Sequence, residues 1–101
     1  MASPDRSLSS AVVTLLTPFG PAAMISHRSV EWASATFVGL RHEMRVAVEG
    51  AMDAAEQIGP LLAHAEIGLC GHILADMVLV DHVTNEGRLL LDIEALTLVE
   101  S

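Results

Sequence analysis

Apolar residues recur along this chain with two different periods, and the changes of period divide it. From Ile73 to Val83 and from Leu89 to Val99 they run almost without a break, on either side of Thr84-Asn85-Glu86-Gly87-Arg88. Two such runs joined by a glycine-containing link predict a β-hairpin. Asn-Glu-Gly suits a three-residue loop: a type I turn, then Gly87 in the left-handed region that only glycine enters without steric cost. This loop pairs Thr84 with Arg88. It then sets Val83 opposite Leu89, Leu79 opposite Ile93, Met77 opposite Ala95 and Ala75 opposite Thr97.

Side chains alternate across a strand, so this register sorts the hairpin into two faces. The odd-numbered face holds Ile73, Ala75, Met77, Leu79, Val83, Leu89, Leu91, Ile93, Ala95 and Val99, with Asp81 and Thr97 as exceptions. It is the expected core face. The even-numbered face sets His72, Asp76, His82, Arg88, Asp92 and Glu94 among Leu74, Val78, Val80, Leu90, Leu96 and Leu98. A solvated face of an antiparallel sheet is polar throughout. Large aliphatics on this one call for a second cover, and the expected cover is another copy of the chain.

The same period appears earlier. Met44, Val46 and Val48 alternate with Glu43, Arg45 and Glu49, which predicts a half-buried strand within a first hairpin over residues 30–50. A tight turn at Leu40-Arg41 would pair Phe37 with Met44, Ala35 with Val46 and Ala33 with Val48. Trp32, Ser34, Thr36 and Val38 then fall on the opposite side. Between the hairpins the period lengthens. Met52, Ala55, Ile58, Leu62 and Ala65 form one helical stripe, which predicts a helix over 51–66 with a kink at Gly59-Pro60 and a cap at Gly68. Residues 1–29 read as a helix and a connector. Ser3-Pro4-Asp5 is a helix start, Leu8, Val12, Leu15 and Leu16 follow at helical spacing, and Pro18 with Gly20 ends it. Val12-Val13-Thr14 also suits a strand, and Ala22–Ser26 suits a short one.

The elements therefore read α-β-β-α-β-β, or β-β-α-β-β without the first helix. The fold class is α+β: one domain of residues 1–101, in two layers, with a four-stranded antiparallel sheet and its helices on one face. Residues 70–100 form the second hairpin. The open face would carry Trp32, Leu74, Val78, Val80, Leu90, Leu96 and Leu98 as the interface of a homodimer or larger homo-oligomer.

Composition sharpens this picture. Apolar residues make up 51% of the chain and charged residues 18%, with a mean hydropathy of +0.49. That excess points to burial between subunits. Thirteen acids oppose five arginines, there is no lysine, and the formal charge is −8. Scattered arginines in an acidic chain make a poor footprint for phosphate backbones or anionic lipid, so no nucleic-acid or membrane partner is expected. Cys70 stands alone, which excludes an intrachain disulfide and suits a reducing, cytoplasmic setting. The uncharged stretch Ser7–Ser26 is interrupted by Ser, Thr, Pro and Gly, and Asp5 precedes it. It reads as neither a signal sequence nor a membrane span.

Candidate chemistry lies on the even face. Asp76 sits diagonal to Glu94, and His82 diagonal to Asp92, within side-chain reach. Close carboxylates can share a proton or bind a hard cation, and a His–Asp pair can act as an oriented base. These four are the candidate metal or catalytic residues. His72 lies roughly 30 Å along the strand from His82, too far to share an ion. His27, His42 and His64 complete the set. Without H-x-x-x-H or H-E-x-x-H spacing, a metal site would have to be assembled between strands. Cys70 reads as a small buried hydrophobe, with His72 two residues away as its only activator. Gly20, Gly39, Gly68 and Gly71 are isolated, so there is no phosphate loop. Trp32, Phe19 and Phe37 are too few for a stacking platform, and Trp32 suits an interface anchor.

Two function classes follow. The first is a non-catalytic, self-associating domain serving as a structural, interaction or small-ligand-binding module, with no cofactor. The second is a small enzyme or metal-binding protein built on Asp76, Glu94, His82 and Asp92. No catalytic motif decides for the second.

Overall fold

A computed structural model of the chain describes residues 4–69 and 71–99. Ser3 and Cys70, and the expectations placed on them, lie outside that range. The protein is α+β, with helix α1 (Pro4–Leu16), strands β1 (Ala22–Ala33) and β2 (Val38–Glu49), helix α2 (Ala55–Ala63), and strands β3 (Gly68–Leu69), β4 (His72–Asn85) and β5 (Arg88–Val99). The strands form one antiparallel sheet in the order β1-β2-β5-β4-β3.

The first segment is a helix. Leu8, Val12 and Leu16 stand one turn apart and are all fully buried. Each contributes roughly 1.5–3 kcal/mol by leaving water, enough to override the strand preference of Val12-Val13-Thr14. The chain leaves α1 through a 3-10 turn, Thr17–Phe19, and passes Gly20 against the end of β2. A Cβ on Gly20 would lie 2.2 Å from the Glu49 carbonyl oxygen, so the close approach requires glycine.

The first hairpin differs from its expected form. Its turn is Ser34–Phe37, not Leu40-Arg41, and β1 begins at Ala22. The Ser34 hydroxyl accepts the backbone N–H groups of Thr36 and Phe37 at 3.3 and 3.0 Å. This local capture settles the turn. Met44 consequently pairs with His27, Val46 with Met24 and Val48 with Ala22. Met44, Val46 and Val48 do face the core as expected.

Helix α2 is shorter than its apolar stripe. Residues 51–54 form a turn closed by Ala54 N–H to the Ala51 carbonyl, and Ile58 and Leu62 are the buried contacts of the helix. The helix runs through Pro60. That proline leaves the carbonyl of Glu56 without an intrahelical donor, on a residue exposed to water. It ends at His64 rather than Gly68, which is drawn into β3 beside Ile73. This two-residue edge strand makes the sheet five-stranded instead of four-stranded.

Both helices contribute to a single core cluster on one face of the sheet, against Met44, Val46, Val48, Met77, Leu89, Leu91 and Ile93. No helix among the described residues is long and apolar enough to cross a membrane.

Candidate functional site

The sheet face opposite the helices holds most of the residues singled out in the sequence. Which residues reach it depends on the second hairpin. Glu86 and Gly87 have φ of 52° and 76°, so the loop is a two-residue turn with both residues left-handed, and Asn85 pairs with Arg88. The expected three-residue loop is therefore wrong by one position. Bulges at Val80 and Ala75 then shift the strand twice more. Each extra residue flips the side chains beyond it to the other face.

Only residues 76–79 keep the expected phase: Met77 faces Ala95 and Leu79 faces Ile93. Outside that window the faces exchange. Ile73 and Val83 turn outward and are half-exposed, and Val99 is exposed. His82, paired with Leu91, and Leu74, paired with buried Thr97, take the helix-side parity; so does His72, opposite Val99. Leu74 packs against the core and is no part of the open face. Trp32, Val78, Leu90, Leu96 and Leu98 do lie on that face, with Val80 exposed in its bulge.

The polar pairs separate accordingly. His82 and Asp92 stand on opposite faces. Asp92 instead receives two hydrogen bonds from Arg45, at 2.7 and 3.1 Å. The same bonds hold the Asp92 carboxyl below its usual range and raise the Arg45 guanidinium. Asp76 and Glu94 do share the open face, but both are exposed and line a shallow hollow with Arg41 and Leu96. They form no enclosed carboxylate pair. Arg28 and Glu43 make a further exposed ion pair between edge strand β1 and β2, beside a concavity of about 560 Å³ reached by Ile25, Arg45, Val80 and Asp92. At one end Trp32 lies across from Gly39. A Cβ there would lie 3.0 Å from the indole nitrogen and 2.0 Å from the Thr97 carbonyl oxygen, so the glycine makes room for both the ring and the neighbouring strand.

The helix-side face hides a polar cluster that no spacing announced. His42 is fully buried beneath the first turn of α1, in line with Met44, Val46 and Val48. Its Nε2 lies 2.9 Å from Thr97 Oγ1, and its Nδ1 lies 2.9 Å from His27 Nε2. His27 Nδ1 is 2.5 Å from Ser9 Oγ on α1. Thr97 donates to the Leu40 carbonyl at 3.5 Å, so its oxygen accepts from His42 Nε2–H. His42 Nδ1 is then the acceptor for His27 Nε2–H, and Ser9 donates to His27 Nδ1. One proton per link satisfies the chain from Ser9 to Leu40. Ser29 donates to Asp5 Oδ2 at 2.7 Å, while Asp5 Oδ1 lies 3.6 Å from His42 Nδ1. That oxygen is buried without a hydrogen-bond partner.

Burial pushes both imidazoles below their ordinary value. His27 and, more weakly, His72 oppose protonation of His42, whereas Asp5 favours it. Both rings are accordingly neutral at physiological pH, each with one nitrogen free of a proton.

The sequence carried one sign of this cluster. His42 shares the parity of Met44, Val46 and Val48, and Thr97 breaks the odd face. What it could not show was the pairing of β1 with β2, because the Ser34 turn was misplaced by about five residues. Compared with protein-family models, curated proteins and solved structures, the chain matches none.

Proposed function

We propose that this protein is a non-catalytic, self-associating domain whose open sheet face packs against the same face of a second copy. The observation that carries the reading is the uncovered face itself. Both helices lie on the other side, yet Val30, Ile73, Val78, Val80 and Val83 are half-exposed on or beside this one, with Trp32, Leu90, Leu96 and Leu98 between them.

Size supports it. The accessible surface is 6060 Å², against about 5500 Å² expected for a monomer of this mass. Four long strands present a face of roughly 700 Å² in plan, close to the ~800 Å² per partner of a stable interface. Charge supports a like partner. Across the face, β1 and β2 carry Arg28, Arg41 and Arg45 against Glu43 and Glu49. Strands β5 and β4 carry Asp76, Asp81, Asp92 and Glu94 against Arg88. A two-fold axis parallel to the strands lays the basic half of one copy over the acidic half of the other. Edge-to-edge pairing is disfavoured by bulges in both long edge strands, near Ile25 in β1 and at Ala75 and Val80 in β4 beyond its short pairing with β3. The acidic balance supports no nucleic-acid role, and a lone cysteine suits a reducing cytoplasm.

Light scattering after size exclusion tests the reading. A dimer or larger is expected at ~50 µM, with Val78→Glu shifting it to monomer while the circular dichroism spectrum is unchanged. A wild-type monomer at that concentration overturns it, as does a Val78→Glu variant that assembles normally.

A further inference from the structure

We propose that Asp5, His27 and His42 bind a divalent first-row transition ion of the zinc class, beneath the first turn of α1. Three elements bring the donors together: α1 supplies Asp5, β1 His27 and β2 His42. Their ligand atoms all lie within 4.8 Å of one another. His27 Nε2 and His42 Nδ1 are 2.9 Å apart, and His42 Nδ1 is 3.6 Å from Asp5 Oδ1. Tetrahedral donors around zinc stand about 3.3 Å apart. The point equidistant from the three donors lies ~1.8–2.4 Å from each, a range containing ordinary zinc–nitrogen and zinc–oxygen distances.

The second observation is the buried Asp5 Oδ1, which has no hydrogen-bond donor. It faces a histidine nitrogen whose lone pair is already committed as an acceptor. Two acceptors directed at each other in a buried space repel, and a cation between them removes the conflict. No net proton need leave. Neutral His27 changes tautomer, its ring proton passing through solvent from Nε2 to Nδ1, so that Nε2 takes the ion and Nδ1–H donates to Ser9 Oγ instead of accepting from it.

Each ligand is already held from behind. Ser9 meets the far nitrogen of His27, Thr97 that of His42, and Ser29 the second oxygen of Asp5. Such outer partners fix ring orientation and tautomer in metal sites. The Asp5 side chain is 41% exposed, so the ion has a way in beside α1. This site lies on the face opposite the proposed interface, and neither claim depends on the other.

Isothermal titration of chelator-treated full-length protein with zinc chloride tests the site, with cobalt(II) absorption as a second readout. One equivalent of zinc is expected at micromolar affinity or tighter, with a rise in melting temperature and a cobalt spectrum of inner-sphere ligation. His27→Ala should weaken binding at least 100-fold, and Asp5→Asn at least tenfold. Both positions are half-buried, so these variants are checked for native circular dichroism before titration, which His42→Ala, fully buried, would not reliably pass. His64→Ala, at the exposed end of α2, should bind as the wild type does. No saturable binding by the wild type overturns the proposal. So does undiminished affinity in folded His27→Ala and Asp5→Asn, or loss of binding in His64→Ala.

Discussion

The two faces of one sheet handle polar groups in opposite ways. On the helix side, polar residues are few, and they are joined. His42 and Thr97 are the buried polar residues among the described ones, and each finds a partner at 2.9 Å. On the open side, charges are many and paired loosely in water, as in Arg28–Glu43 and Arg45–Asp92, with aliphatics exposed between them. Low dielectric explains the difference. A buried polar group without a partner costs about 1–3 kcal/mol, so His42 and Thr97 sit on the covered face as members of a completed chain, and Asp5 Oδ1 is the exception among the described residues there. An exposed ion pair is screened and easily exchanged for water or for another protein.

The largest expected effect contrasts neighbours on opposite faces. Leu91→Ala empties a fully buried site and should lower unfolding free energy by about 2–5 kcal/mol in urea denaturation. Leu90→Ala, half-buried on the open face, should cost less than ~1.5 kcal/mol in the isolated chain and weaken association instead. Equal losses of stability in the two variants, with assembly unaffected, would erase the distinction between a core face and an interface face.

A smaller effect probes the joined histidines. Thr97→Val keeps the shape but removes the acceptor of His42 Nε2–H. It should destabilise the protein by about 1–3 kcal/mol, read from the urea midpoint. A neutral result would mean that the buried chain contributes packing alone.

The smallest effect is at Arg45–Asp92. A double-mutant cycle with Arg45→Ala and Asp92→Ala should show a coupling near the detection limit of urea denaturation at physiological salt. Its pH dependence has a definite sign. Because the folded Asp92 carboxyl lies below its ordinary value of 3.8, its contribution is complete above that value. It is lost as pH falls through the folded one. A coupling that instead grows in acid would show that Arg45 is not its partner.

Much of this division was legible in the sequence, and the losses have local causes. The alternations Met44–Val46–Val48 and Leu89–Leu91–Ile93 faced the core as read, because a strand buried on one side leaves a period of two that no neighbour can alter. The helical stripe Leu8–Val12–Leu16 was visible too, but Val12-Val13-Thr14 left a strand open there until the burial of the stripe decided for the helix. The faces of β4 were not legible. Glu86 entered the left-handed region beside Gly87, a position the loop rules reserve for glycine or asparagine, and the shorter turn moved every pair from Asn85 to Asp81. The bulges at Val80 and Ala75 sit in an almost unbroken aliphatic run, where one residue more or less changes no visible pattern. The shorter turn alone parted His82 from Asp92, because both lie between it and the first bulge.

What the sequence determined alone is the set of apolar stripes: two hairpins, the helix between them, an N-terminal stripe open to helix or strand, an acidic chain, and more aliphatic surface than one layer of helices can cover. These depend on neighbours in the chain and on water, which act on every residue in the same way. Only the tertiary structure decided which polar residues meet. Asp5, His27 and His42 come from three elements separated by turns and a bulge, and their convergence is a sum of registers. A register is set by a hydroxyl at Ser34 or one left-handed residue at Glu86, and no periodicity records it.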